Sequence, residues 1–138
     1  MDQREESPLR KPLNKILDML HSTAKAYTQL QTYQDNQNKN DCLCNISSRR
    51  EQLARELEEQ MIKENILIDK RVEAATRHAY PGRDEEVDAI HSFTAMDSKL
   101  IEEYEQINYD QLSDDMKELL SDHVTNFKAD KKEVENLV

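Results

Sequence analysis

Along most of the chain apolar residues recur every three or four positions, the period of an amphipathic helix. Leu13, Ile16, Leu17, Leu20, Ala24, Tyr27 and Leu30 make a first stripe, and Pro12 stands where a first helical turn tolerates proline. The run YQDNQNKND that follows (residues 33–41) has no apolar side chain after Tyr33 and reads as an exposed loop. A second stripe passes through Ile46, Leu53, Leu57, Met61, Ile68, Val72, Ala75 and Ala79. Two starts compete for it: Asp41 as a cap, or Ser48, where SRRE puts Glu51 three residues on as in a capping box. No Gly or Pro interrupts the chain before Pro81. One helix over that whole span would be about 57 Å long and would overhang its neighbours. Ile62 and Ile66 leave the stripe, so a break is expected within residues 63–69, with KRVEAATRHAY (70–80) as a short separate helix.

YPGRDEE then punctuates the chain, Pro81 and Gly82 stopping one helix and Asp84 with its following acids starting another. A third helix is predicted over about 84–108, with Val87, Ile90, Thr94, Asp97, Ile101 and Tyr104 on one face. In NYDQLSDD, Ser113 is expected to cap a fourth helix carrying Met116, Leu119, Leu120, Phe127, Val134 and Leu137. Four principal helices make this an all-α four-helix bundle, with a short extra helix between helices 2 and 3. Residues 1–9 are expected to be a disordered N-terminus and 10–138 a single domain, since 138 residues supply one core.

Composition agrees with helices: one Gly and three Pro leave few turn or strand signals. The net charge of −10 argues against nucleic acid and anionic membrane surfaces as partners. No run approaches 18 apolar residues and MDQREESPLRKP has no apolar leader core, so neither export nor membrane insertion is expected, which makes the cytoplasm the expected compartment. Cys42 and Cys44, spaced i and i+2, would point apart on a helix and read as two reduced thiols.

Few polar residues share the apolar directions. They are Asp97 and Thr94 on helix 3, His123 and Asp130 on helix 4, Arg50 and Glu64 on helix 2, and Thr23 near an edge of helix 1. With a turn near residues 110 and 111, Asp97 and His123 are expected at one height, and Arg50 at a comparable depth if the two helical hairpins pack with their loops at the same end. The expectation is a buried polar layer of Asp97, His123 and Arg50 that fixes helix register. The alternative is a metal site held by Asp97 and His123. A general-acid role for Asp97 lacks an identifiable nucleophile or second acid. Asp18-x-x-His21 and Asp88-x-x-His91 have a spacing at which two side chains hold one metal, but both pairs fall on flanks or outer faces, and His78 adjoins the Pro-Gly turn. No phosphate loop, Ser-His-Asp order, CxxC or HExxH is present.

The order of RREQLAREL on helix 2, a connector, AMDSKLIEEYEQI on helix 3 and LSDDMKELLSDHVTNFKADKKEVENL on helix 4 resembles the uncharacterised ferritin-like bundles of bacteria, over residues 13–137. The resemblance rests on Arg-x-x-hydrophobic-Ala-x-Glu-Leu at 50–57 and an acid followed by a Tyr on helix 3. It implies the bundle, the crossover between helices 2 and 3, and iron or another divalent metal held by glutamates and Glu-x-x-His pairs. Here no Glu-x-x-His occurs, Thr23 and Ala24 stand where an inward acid is expected, and helix 2 presents Arg50. Two functions follow. The favoured one is a non-enzymatic acidic bundle, with no cofactor, that binds a protein partner or a second copy of itself. The other is a ferritin-like metal protein in storage or oxidative-stress protection, with Asp97 and His123 as ligands.

Overall fold

A computed structural model of the chain describes residues 7–31, 37–69 and 86–136, with the side chains of 30–31, 37–40 and 86–93 outside that description. The described residues form α1 (Arg10–Gln31), α2 (Gln37–Lys63), α3 (Glu86–Gln106) and α4 (Asp114–Glu135), with a single 3-10 turn at Tyr109–Gln111. The chain is an all-α four-helix bundle. Each helix packs on two others, α1 and α4 both lying against α2 and α3.

The pairings fix direction. On α1 and α2, Thr28 meets Ser47 while His21 meets Glu51, so these helices are antiparallel. Tyr27 with Asp97 and Lys15 with Glu103 make α1 and α3 antiparallel. Arg50 with Asp130 and Glu56 with His123 do the same for α2 and α4. It follows that α2 and α3 are parallel. The chain leaves α2 at one end of the bundle and enters α3 at the other, the crossover expected from the sequence, so the α1–α2 and α3–α4 links stand at opposite ends and not at the same end as the depth of Arg50 assumed. The proposed separate helix at 70–80 lies outside the described residues.

The break in α2 is built as a Schellman cap. Asn65 takes φ of 60°, its N–H donates to the Ile62 carbonyl, and the Ile66 N–H reaches back to Met61 at 2.9 Å. Ile66 is buried under the cap whereas Ile62 is 68% exposed, so the pair that strays from the stripe marks the helix end. Beyond it, Asn14 holds the chain by donating to the Leu67 carbonyl and accepting from the Asp69 N–H, and Arg10 pairs with Asp69 at 2.7 Å. Glu64, expected to face inward on helix 2, lies past the helix end and pairs with Gln60 instead.

The start of α2 differs from both expectations. Helix begins at Gln37, inside the Asn-rich run, and Ser48 is an exposed mid-helix residue with no capping role. Leu43 and Ile46 explain this: both are fully buried beside Ala26 and Tyr27, and that burial outweighs the small helix penalty of asparagine. At the other end, Ser113 caps α4 as expected, accepting from the Met116 N–H at 3.0 Å. Leu9, on the disordered side of the expected boundary, is buried. On α3 the residue that faces the core beside Tyr104 is Leu100, with Ile101 half-buried.

Among the described residues the apolar interior falls into two clusters. The larger one includes Leu13, Leu17, Leu57, Leu100, Leu120 and Phe127; the smaller holds Ala26, Tyr27, Leu43, Ile46 and Val134. Between them, at Arg50, lies the polar layer.

Candidate functional site

The Arg50 side chain comes from the buried stripe of α2, one turn after Ile46 and one before Leu53 and Ala54, so helical periodicity alone drives it inward. It is fully buried, as are Asp97 of α3 and, within 1%, Asp130 of α4. Arg50 donates from Nη1 to Asp97 Oδ1 at 2.9 Å and from Nη2 to Oδ2 at 3.0 Å, a bidentate fork. Its Nη2 also reaches Asp130 Oδ2 at 3.3 Å, and Arg49 donates to the other oxygen of Asp130. Tyr27 of α1 donates its hydroxyl to Asp97 Oδ2. The guanidinium lies over the Phe127 ring at 4.7 Å and near the Tyr27 ring at 5.4 Å, a cation–π environment. Two arginines and two aspartates sum to zero, the condition under which charge is tolerated at this depth.

The electrostatics follow from the packing. Burial works against the Arg50 charge, but the hydrogen bonds and charge of Asp97, with Tyr27 and Asp130, outweigh it and raise its pKa. Burial pushes the Tyr27 hydroxyl well above its usual range, aided by the Asp97 charge, so it stays a donor. Burial also raises the Asp130 carboxyl above its ordinary value, with Arg50 and Arg49 pulling the other way.

His123 belongs to a neighbouring layer. Its Nδ1 is 2.9 Å from the Tyr104 hydroxyl and its Nε2 is 3.4 Å from Glu56 Oε2. A carboxylate only accepts, so in the neutral imidazole Nε2 carries the proton and Nδ1 accepts from Tyr104. Burial lowers the His123 pKa, opposed by its bond to Glu56 and by the charges of Glu56 and Asp122. Phe127 separates the two layers, 5.0 Å from the Tyr104 ring and 6.2 Å from the His123 ring.

The structure thus joins Asp97 to Arg50 and places His123 about two helical turns away. The cause is the α3–α4 link. Ile107 and Leu112 are buried, so residues 107–112 continue past the end of α3 before the chain reverses at Ser113 rather than at 110 and 111. Asp97 therefore lies level with Asp130, and Tyr104 with His123. Both Asp97 oxygens accept from Arg50, and among the described residues no three His, Cys, Asp or Glu side chains converge as a metal-ligating group.

Other candidates resolve simply. His21 is inserted between Glu51 at 3.2 Å and Glu58 at 3.5 Å on α2, and Asp18 is exposed. Both cysteines are free thiols; Cys42 is half-buried with its sulfur 3.7 Å from Glu133, and Cys44 is exposed. His78 and the side chains of Asp88 and His91 lie outside the described residues. Four participants escaped the sequence reading, among them Glu56, which is 40% exposed and reaches His123 from the flank of α2. Tyr27 and Tyr104 counted there as apolar stripe members, although a buried phenol needs a partner for its hydroxyl. Arg49 gave no signal, because it reaches Asp130 from the edge of the stripe, 39% exposed.

Chemically, this arrangement holds helices in register. Each buried charge is paired, and at the edge of the layer the Cys42 thiol lies against Glu133, its pKa raised by burial. The chain matches no protein-family model, no curated protein and no solved structure.

Proposed function

We propose that the protein is a non-enzymatic helical bundle that works through its surface, by associating with a second copy of itself or with a protein partner. The observation that carries this reading is that the buried carboxylates and the buried imidazole are each taken by protein partners, although the Nε atoms of Arg49 and Arg50 are buried without an acceptor. Asp97 is taken by Arg50 and Tyr27, Asp130 by Arg49 and Arg50, and His123 by Tyr104 and Glu56. Groups held this way supply rigidity and a unique register to a scaffold. The chain carries 29 acidic residues against 19 basic ones, which favours selective, salt-sensitive contacts over broad apolar ones. Among the described residues no helix is long and apolar enough to cross a membrane, consistent with partners met in water.

Light scattering across a wide range of protein concentrations tests the self-association arm, and recovery of a stoichiometric partner from cell extract tests the other. The expected result is mass rising with concentration or one protein co-purifying in fixed ratio. A sharp monomer at every concentration, with no partner recovered, would overturn the reading.

A further inference from the structure

Opposite its buried face, α4 carries Asp114, Glu118, Ser121, Thr125, Lys128 and Lys132, spaced alternately by four and three residues and all exposed. This is a continuous outward stripe with acids at its N-terminal end, hydroxyls at its middle and lysines towards its C-terminal end. Among the described residues none of these charged side chains is engaged in an ion pair.

The arrangement stores like-charge repulsion within the helix. Asp114, Glu118 and Asp122 follow one another at i, i+4, as do Lys128 and Lys132, and such pairs each destabilise a helix by a few tenths of a kcal/mol. The helix macrodipole favours acids in the first turn and lysines in the last, but its effect fades within one turn. Glu118 and Lys128 lie further inside α4 than that.

The stripe is also its own complement. Its positions are symmetric about residue 123: 114 mirrors 132, 118 mirrors 128 and 121 mirrors 125. Turned end for end, every acid of the stripe meets a lysine and the small hydroxyl residues meet each other, which lets the backbones approach. Thr125 donates its hydroxyl to the Ser121 carbonyl, so it turns no unmet donor to that contact. Next to the stripe, the α3–α4 groove is lined by Ser98, Ile101 and Glu135 with Lys128, Lys131 and Lys132, so lysines outnumber acids there by three to one.

We infer that the outer face of α4 is a homodimerisation surface, pairing antiparallel with the same face of a second copy about a twofold axis near residue 123. This deepens, and rests on, the self-association reading above. A twofold interface must be self-complementary, and this stripe meets that condition by its charge order. The contact is one helix against one helix, so the dimer is weak and reversible. At physiological ionic strength the Debye length of about 8 Å screens the repulsion between distant acids while leaving facing pairs intact.

Sedimentation equilibrium of the full chain tests it, with Glu118→Lys, Lys128→Glu and the double variant, each checked for helicity by circular dichroism. Each single change turns two attractive contacts into repulsive ones and is expected to weaken the dimer by about tenfold or more. The double variant restores dimerisation, an equimolar mixture of the two single variants forms a heterodimer, and salt of about 1 M, with a Debye length of about 3 Å, dissolves the wild-type dimer. A wild-type dimer indifferent to both single changes, or a double variant no better than either, would overturn the α4 pairing and leave self-association through another face standing. A wild-type chain monomeric at every concentration would overturn both the pairing and the self-association arm.

Discussion

At the residue scale, the decisive choice is a fully buried arginine. Leaving one ion of a buried pair without its partner costs several kcal/mol, which is why Arg50, Asp97 and Asp130 come together with Arg49 and Tyr27 as a set. His123 is the residue whose burial has a pH consequence. It is faced by Glu56 from α2, Tyr104 from α3 and Asp122 on its own helix, and burial keeps its pKa below the ordinary imidazole value. A group with a lowered folded-state pKa of this kind stabilises the fold fully above the ordinary value and less as pH falls through it. Urea unfolding of the wild type should therefore weaken between about pH 7 and about pH 5, and His123→Gln should flatten that slope. Asp130, with its raised carboxyl, contributes in the opposite sense, gaining stability as pH falls. It is common to both proteins and cancels in their difference. Equal slopes would show that His123 carries no such linkage. Asp97, Asp130, His123 and Arg50 were legible in the sequence because each interrupts an apolar stripe; which of them touch was not, because a stripe gives facing and not height.

At the element scale, helix ends decided what the sequence could show. Ser113 is readable because an N-cap uses its own side chain, and the end of α2 is readable because Ile62 and Ile66 leave the stripe. The start of α2 was not, because Leu43 and Ile46 extend the helix by packing on α1, a tertiary cause with no local signature. The register between α3 and α4 shifted for a related reason, the burial of Ile107 and Leu112, which turns what reads as a loop into a further layer of core. The Schellman cap makes a specific demand at Asn65, whose φ of 60° favours glycine. Asn65→Gly is expected to hold or raise stability by up to about 1 kcal/mol, and Asn65→Val to lower it by about 1–2 kcal/mol, in denaturant titrations. Equal losses from both substitutions would contradict the cap.

At the scale of the whole molecule, the parallel relation of α2 and α3 forces the crossover, and two apolar clusters meet at a layer of paired charge. The composition made the helical class plain, while the resemblance supplied the crossover, which periodicity cannot give. The central claim is that the charged layer specifies register and takes no part in function. Denaturant unfolding together with sedimentation of two variants tests it most directly. Arg50→Met alone strands Asp97 and should cost about 3–5 kcal/mol. Adding Tyr27→Phe, Asp97→Leu and Asp130→Leu removes the fully buried groups left without a partner, while half-exposed Arg49 keeps Glu133 at 3.6 Å, and should recover most of that loss, with the same association behaviour as the wild type. A fully folded fourfold variant that has lost association would contradict the claim.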